Sequence, residues 1–354
     1  MERSINRINF VRGNKLISQL KMVFKDFIIP LAWPEAPVRT AGGPYDKFLE
    51  LFNLYRNGYY KAGHAAFLLV NHKNLTVEYF DFGRYISPDK NGRARSKETD
   101  PEVVFNIKAE IKDGSVVNLK QIIKAIGAHP QTHGEGTLYA GIQEGINYDK
   151  AIEHIKSVQS APYTPYGPFV INGTNCSRFV AQTIAKSIKG SGFKFLYPWY
   201  FTPAPLGNIF YSSGKKLFKL DSSGEVVELF IEGEGKQFNF MKEIMMYKNG
   251  ETTPDPSKAS LNKIDPPIER INVSENAQWL GGTGAGAWYE IKNISENKIE
   301  VARNQANGSL DFCFEFIGPT NDMDFNQTYN FEYGSHGEKI ILSQNGHFFE
   351  FFKR

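Results

Sequence analysis

The sequence has few cysteines, no long apolar run and no large excess of charge. Only Cys176 and Cys313 occur in 354 residues, too few for a disulfide framework. The N-terminus lacks the basic stretch and apolar run of a signal peptide. The longest apolar stretches, 27–33 and 65–70, fall short of the about 20 residues that cross a bilayer. We therefore expect a cytoplasmic protein with no transmembrane segment.

Charge also limits the class of partner. Lys and Arg exceed Asp and Glu by only three, for a formal net charge of +3. A balance this even does not favour nucleic acid as the main partner. A peptide, amide or acyl substrate remains open, and the oligomeric state is left undecided.

The length and patterning predict an α+β protein with more than one domain. Residues 1–206 combine strand and helix patterns, and we assign them to one domain. Residues 207–270 contain short β-prone pieces, which predict a β-hairpin segment, and a polar linker with prolines. Residues 271–354 alternate aromatic and polar residues in several runs, which predicts a small antiparallel β domain.

Two β-prone runs, 63–70 and 75–82, flank a polar turn cluster at 71–74. This arrangement predicts a hairpin. A two- or four-residue turn pairs Val70 with Leu75 and brings His64 opposite Asp81. The side chain of Glu78 then points to the other face. A loop of odd length would exchange the faces, since a one-residue slip reverses every side chain.

Cys176 stands at the predicted start of a helix. The Pro- and Gly-rich segment 162–173 must form a shaped loop. After it, apolar residues recur at helical spacing up to about Gly190, which predicts an amphipathic helix. A helix N-terminus stabilises a thiolate through its unpaired backbone N–H groups. Cys176 is therefore the candidate nucleophile.

His64 is the candidate base for this thiol. It follows a glycine and opens a strand, so its ring is held on a rigid element. An imidazole can take the thiol proton and return it to a leaving group, and a third polar group fixes its tautomer. Asp81 could be that group, or it could be a structural carboxylate paired with Arg84. His64 could itself be a histidine with only a structural role.

The order of these pieces resembles the permuted papain-like superfamily, which includes NlpC-type peptidases and lecithin:retinol acyltransferase-like proteins. In that superfamily a Gly-His pair opens a strand, a polar residue follows on the next strand, and a cysteine at a helix start comes last. The matching pieces here are Gly63-His64, Asp81 and the run 175–180 (NCSRFV). The resemblance covers roughly residues 45–190 and leaves out the C-terminal domain.

The resemblance implies an antiparallel sheet packed on helices and chemistry on acyl groups, without naming a substrate. We expect a thiol hydrolase that cleaves an amide, peptide or thioester bond through an acyl-enzyme on Cys176. Tyr166, Asn175 and His133 are candidate substrate-binding residues. Two alternatives are an acyltransferase of the same fold and a binding module that has lost its chemistry.

Other motifs receive structural interpretations. His129 and His133 have a spacing that suits a metal on a helix, but the intervening proline and nearby glycines favour a loop, so we expect no metal and no cofactor. Arg93, Arg95 and Lys97 could line the mouth of the active site, but we interpret them as a solvated loop. The glycines of 281–286 (GGTGAG) resemble a phosphate loop but lack its lysine, and a tight turn accounts for them.

The C-terminal domain is expected to supply no nucleophile, base or orienting group. Cys313, which alternates with phenylalanines, is expected to pack in a sheet. Removal of the domain is therefore expected to spare the reactivity of Cys176.

Overall fold

The computed structural model describes residues 24–36, 38–39, 55–57, 59–61, 63–132, 134, 136–168, 170–188, 204–248 and 264–354. His133 and most of the expected linker, 249–263, lie outside these residues.

The strands follow in chain order: β1 (Asp26–Trp33), β2 (Val38–Arg39), β3 (Tyr55–Arg56), β4 (Tyr59–Tyr60), β5 (His64–Val70), β6 (Val77–Gly83), β7 (Asn91–Arg95), β8 (Ile111–Lys112), β9 (Ser115–Val116), β10 (Leu138–Ala140), β11 (Gln143–Ile146), β12 (Thr164–Pro165), β13 (Lys216–Leu220), β14 (Val226–Phe230), β15 (Gln278–Gly281), β16 (Gly286–Ser295), β17 (Lys298–Gln305), β18 (Leu310–Ile317), β19 (Asn330–Phe331), β20 (Lys339–Gln344) and β21 (His347–Lys353).

The α-helices are α1 (Leu119–Gly127), α2 (Tyr148–Gln159), α3 (Cys176–Ser187), α4 (Pro205–Ser213) and α5 (Glu234–Met245). Single turns of 3-10 helix lie at Pro101–Val103, Pro130–Thr132 and Thr320–Asp322.

The first sheet has the strand order β12-β7-β6-β5-β1-β10-β13-β14, and β11 also pairs with β1. Its central strands are buried on both faces, so they carry almost continuous apolar sequence. Helix α1 packs on one face through residues such as Ile122 and Ile126. Helices α2 and α3 pack on the other through Ile155, Phe179 and Ile184. An antiparallel sheet covered by helices confirms the α+β prediction.

The hairpin of β5 and β6 forms with a register two residues away from the predicted one. Val70 pairs with Val77, and Ala66 pairs with Asp81. Leu75, expected to begin the second strand, has a φ of 60° and belongs to the loop. Because the shift is even, the faces are unchanged. Asp81 therefore stays on the face of His64, and Glu78 contacts Lys97 and Tyr148 on the other face.

Two local predictions were wrong, and a third was incomplete. Residues 91–95 form β7 instead of a solvated loop, because their arginines have buried carboxylate partners. Residues 103–111 alternate in a way that predicts a strand, but they make only an isolated bridge at Lys108 before the short strand β8 begins at Ile111. The hairpin predicted within 207–270 is present as β13–β14 and extends the first sheet through β10, but helix α4 precedes it and was not predicted.

The C-terminal sheet has the order β15-β16-β17-β18-β21-β20-β19. The side chain of Gln278 on β15 joins the two outermost strands, since it donates to the carbonyl of Tyr329 and accepts from the amide of Phe331, each at 2.8 Å. The Tyr333 hydroxyl also donates to the carbonyl of Gly281, at 2.9 Å. Cys313 lies on β18 with its side chain exposed, so the expectation that it packs was wrong.

A buried ion-pair network joins the two sheets. Arg303 of β17 is 0% exposed and pairs with Asp100, Glu102 and Asp311. Asp100 also accepts two hydrogen bonds of 2.6 Å from Arg93. A charged side chain that is shielded from water needs a partner of opposite charge. Each sheet therefore supplies ion-pair partners that buried charges of the other require.

Candidate active site

Cys176 is the first residue of α3 and is buried, with 7% of its surface exposed. Asn175 caps the helix: its side-chain oxygen accepts the backbone N–H of Arg178 at 2.8 Å. The thiol therefore lies at the N-terminal end of the helix, where the helix dipole stabilises negative charge. The position expected from the sequence is the one observed.

His64 begins β5 beside this thiol. Gly63 has a φ of 71°, and a Cβ there would lie 2.5 Å from the carbonyl oxygen of Trp33. Only glycine fits this approach. Trp33 pairs with His64 across the strands and stacks on its ring, with centroids 5.8 Å apart. The imidazole lies within hydrogen-bonding distance of Asp81 through Nε2, and the neighbouring Cys176 thiol acts on its pKa.

Asp81 is fully buried and accepts several hydrogen bonds. Arg95 donates two of these hydrogen bonds, from Nε to Oδ1 at 2.9 Å and from Nη2 to Oδ2 at 2.6 Å. The hydroxyls of Tyr79 and Tyr85 donate to Oδ2 at 3.0 and 2.9 Å. Nε2 of His64 lies 3.3 Å from the same oxygen. Its buried ion pair is made with Arg95, so the alternative pairing with Arg84 was wrong.

The pKa values of these groups are displaced in the directions that favour an ion pair. Burial would raise the pKa of Asp81, but the charge of Arg95 and hydrogen bonds from His64 and Arg95 hold it well below its usual range. Burial opposes the charge of His64, yet Asp81 and Cys176 raise its pKa from 6.5 to about 9.

The Cys176 thiol shifts the opposite way. Burial would raise its pKa, but His64, the backbone N–H of Ala65 and the hydroxyl of Tyr166 lower it. A lowered thiol pKa beside a raised imidazole pKa favours the ion pair of thiolate and imidazolium over the neutral pair.

Tyr166 closes the other side of the thiol. Its hydroxyl lies 3.7 Å from Sγ, and its ring stacks on Phe82 with centroids 5.9 Å apart. It belongs to the loop expected to line the site, which Arg178 holds through the carbonyls of Gly173 and Pro168. The tip of this loop exposes Ile171, at 87%. The loop is therefore anchored at its base and open at its tip.

The other two candidate substrate-binding residues are Asn175 and His133. The Asn175 oxygen is used by the helix cap, and substrate contact by this residue stays a prediction. His133 lies outside the described residues, directly after the segment whose Gln131 carbonyl accepts from Arg95 at 3.0 Å. His129, the other histidine of that loop, bonds the backbone carbonyl of Val104 through Nε2.

Sequence reasoning missed Tyr79, Tyr85 and Arg95. Tyr79 is two residues from Asp81 on one strand and therefore shares its face, a signal that period-2 counting offered. Arg95 pairs with Asp81 across β6 and β7, which required recognising β7. Tyr85 follows the strand, and its position depends on the C-terminal sheet.

Within the described ranges, no group of three or more His, Cys, Asp or Glu side chains is arranged to hold a metal ion. In the same part of the chain, no helix has the length and apolar character needed to cross a membrane.

Comparison with known proteins gives two family matches. Residues 28–193 match the family described as Type VI secretion system effector TseH-like, and residues 277–354 match the DUF6695 C-terminal domain. The crystal structure of the Type VI secretion system effector TseH is 17% identical, with a TM-score of 0.38, over 58% of this chain and 97% of that chain. No curated protein matches. The first family match includes Cys176, His64 and Asp81.

Proposed function

We propose that this protein is a thiol hydrolase of the permuted papain-like type, which cleaves an amide, peptide or thioester bond with Cys176 as nucleophile. The observation that carries the proposal is a buried thiol at a helix start, Cys176, whose pKa is lowered by His64, while the buried Asp81 carboxylate lies 3.3 Å from Nε2 of His64. A structural cysteine has no need of an imidazole that is itself oriented by a carboxylate.

The acylation step follows from these contacts. The Cys176 thiolate attacks the carbonyl carbon of the substrate, and the carbonyl oxygen becomes an oxyanion. The backbone N–H of Cys176 is one donor for that oxygen, and the Tyr166 hydroxyl is close enough to be another. The His64 imidazolium then gives its proton to the leaving amine or thiol, and a thioester on Cys176 remains.

Water completes the cycle. With Nε2 turned to Asp81, Nδ1 of His64 is the nitrogen left to take a proton from the attacking water. Collapse of the second tetrahedral intermediate releases the acid and restores the thiolate and the imidazolium. Asp81 remains ionised throughout, because Arg95 neutralises its charge.

The loop that carries Tyr166 is the proposed substrate wall. Its base touches the nucleophile, and its tip exposes Val170 and Ile171 to solvent. An acyl group with an apolar portion would contact these side chains as it enters. The match to the TseH-like effector family supports a hydrolase that serves as a secreted effector.

Alkylation of Cys176 with iodoacetamide at pH 7 tests the proposal, with each cysteine followed by peptide mass. An ordinary thiol is only about 3% ionised at pH 7, so His64→Ala should slow labelling of Cys176 by about 30-fold. His72→Ala is the matched control, since His72 lies in the loop of the same hairpin and pairs with Asp26 of β1 at 2.7 Å. That variant should label like the wild type.

Cys313 supplies an internal reference in the same experiment. Its pKa is raised by burial and by Glu300, so its labelling should be slow in all variants. Equal, slow labelling of Cys176 and Cys313 in the wild type would contradict the thiol hydrolase and favour the alternative of a binding module. A screen of amide, peptide and thioester probes against wild type and Cys176→Ala then identifies the bond cleaved.

A further inference from the structure

The glycine-rich turn between β15 and β16 of the C-terminal sheet, residues 281–286, hydrogen-bonds to the segment that follows β6, residues 84–86. The amide of Gly284 donates to the carbonyl of Arg84 at 2.8 Å, and the amide of Ile86 donates to the carbonyl of Ala285 at 3.1 Å. Tyr85 and Ala285 thus form a parallel bridge. The two sheets are therefore joined by backbone hydrogen bonds only four residues after Asp81.

Ile86 anchors this junction. Its side chain is 6% exposed and packs in the core of the C-terminal sheet with Leu280 and Ala287. Its φ of 37° is unfavourable for a β-branched residue. Such a conformation persists only where the surroundings determine it. The C-terminal core therefore fixes the backbone on which Tyr85 stands.

The side chain of Tyr85 reaches back to the active site. Its hydroxyl donates to Oδ2 of Asp81 at 2.9 Å and lies 3.4 Å from Nε2 of His64. The guanidinium of Arg95 covers its ring, 3.8 Å from the centroid. Tyr79, the other hydroxyl on Asp81, stands on β6 itself. Tyr85 is thus the Asp81 donor that the C-terminal turn holds in place.

We propose that the turn at 281–286 positions the Tyr85 hydroxyl over the contact between Asp81 and His64, so that the C-terminal sheet is a positioning element of the active site. The hydroxyl covers the edge of the imidazole at Nε2 and keeps water from that contact, and a drier ion pair is stronger. The inference rests on the proposed function, because it concerns the same Cys176 and His64 pair.

Two glycines of the turn give a matched test in the full-length chain. A Cβ on Gly282 would lie 2.6 Å from the amide nitrogen of Ile86 and 2.7 Å from the carbonyl oxygen of Arg84, so Gly282→Ala must push the Tyr85 segment away. A Cβ on Gly284 meets nothing closer than 3.4 Å, so Gly284→Ala leaves the segment in place. Tyr85→Phe removes only the hydroxyl.

The measurement is the rate of Cys176 alkylation from pH 4 to 10. Displacing Tyr85 weakens the ion pair between Asp81 and His64, so the imidazolium supports the Cys176 thiolate less well. The rise in alkylation rate that marks thiolate formation should therefore move to higher pH. We expect Gly282→Ala and Tyr85→Phe to lower the rate at pH 7 by about tenfold, which corresponds to a thiol pKa that is about one unit higher. Gly284→Ala should keep the wild-type profile.

The outcomes separate this inference from the proposed function. If folded Gly282→Ala and Tyr85→Phe both keep the wild-type profile while His64→Ala slows labelling, the positioning role is overturned and the thiol hydrolase stands. If His64→Ala also keeps the wild-type profile, the proposed function fails. If Gly282→Ala does not fold, Tyr85→Phe alone decides between a shifted and an unshifted profile.

Discussion

At the scale of single residues, the site is a chain of three charges and a thiol. Arg95 holds Asp81 ionised, Asp81 favours the protonated form of His64, and His64 favours the thiolate of Cys176. Each group stabilises the charged form of the next one, which burial alone would disfavour. The reactivity of the thiol therefore depends on residues that it does not touch.

The coupling between Cys176 and His64 can be measured from the imidazole. Cys176→Ala removes a negative partner, so the pKa of His64 should fall from about 9 by about 1–2 pH units. An NMR titration of the His64 ring protons gives the value. Cys313→Ala is the control and should leave it unchanged. An unaltered pKa in Cys176→Ala would mean that thiol and imidazole titrate independently.

At the scale of elements, the first turn of α3 places the nucleophile, and its cap can be tested alone. Asn175→Ala removes the bond to the Arg178 amide and should cost about 1 kcal/mol of unfolding free energy. Because Cys176 is the next residue, its alkylation should also slow several-fold.

The matched control for this cap is Asn147 of α2, which accepts the Lys150 amide at 3.0 Å. Asn147→Ala should lose a similar free energy of unfolding, measured in urea, without any change in alkylation. Equal alkylation rates in the two variants would show that the cap stabilises the helix and leaves the nucleophile unaffected.

The strand that carries His64 has its own sensitive point at Gly63. Gly63→Ala must occupy a left-handed conformation and place Cβ against the backbone of Trp33 and Pro34. We expect a loss of about 2–4 kcal/mol in unfolding free energy, with slower alkylation of Cys176 because His64 is displaced.

Gly114 separates the two causes. It has a φ of 78° but open space around its Cβ position. Gly114→Ala should therefore cost only the conformational part, about 1–2 kcal/mol, with normal alkylation. Urea unfolding of both variants gives the comparison, and equal losses would mean that Gly63 is required for its φ alone.

Much of this site could be predicted from the sequence, because it depends on local patterns. The helix start at Cys176 and the face shared by His64 and Asp81 follow from periodicity. The register was missed by two residues because the left-handed conformation of Leu75 lengthens the loop, and leucine gives no sign of it. Arg95 and Tyr85 were missed because their roles arise from strand pairing and from contact with residues about 200 positions away.

At the scale of the whole molecule, the C-terminal sheet is bound to the first by buried charge. Arg303→Met would leave Asp100, Glu102 and Asp311 with less compensation, and we expect a loss of about 3–5 kcal/mol at pH 7. Arg354→Met is the control, since Arg354 is exposed and lies 3.7 Å from Glu315. It should change stability by less than about 0.5 kcal/mol in urea unfolding. Similar losses in the two variants would contradict a joining role for Arg303.

The same contacts revise the expectation that the C-terminal domain can be removed without loss of thiol reactivity. Its removal would take Arg303 from Asp100 and the backbone bridge from Tyr85. A truncated chain would then contain buried carboxylates with fewer partners and a Tyr85 segment without its support. We now expect truncation to impair both folding and the reactivity of Cys176.

The Gln278 side chain, which joins β15 to β19, affects how another chain could add to the C-terminal sheet. An exposed sheet margin is a template on which another chain can add a strand, and such addition underlies both peptide recognition and fibril growth. By bonding to the carbonyl of Tyr329 and the amide of Phe331, one amide side chain uses groups on which an incoming strand would pair. Another protein that binds this sheet would therefore meet its side-chain faces, where Phe348 and Phe352 are exposed.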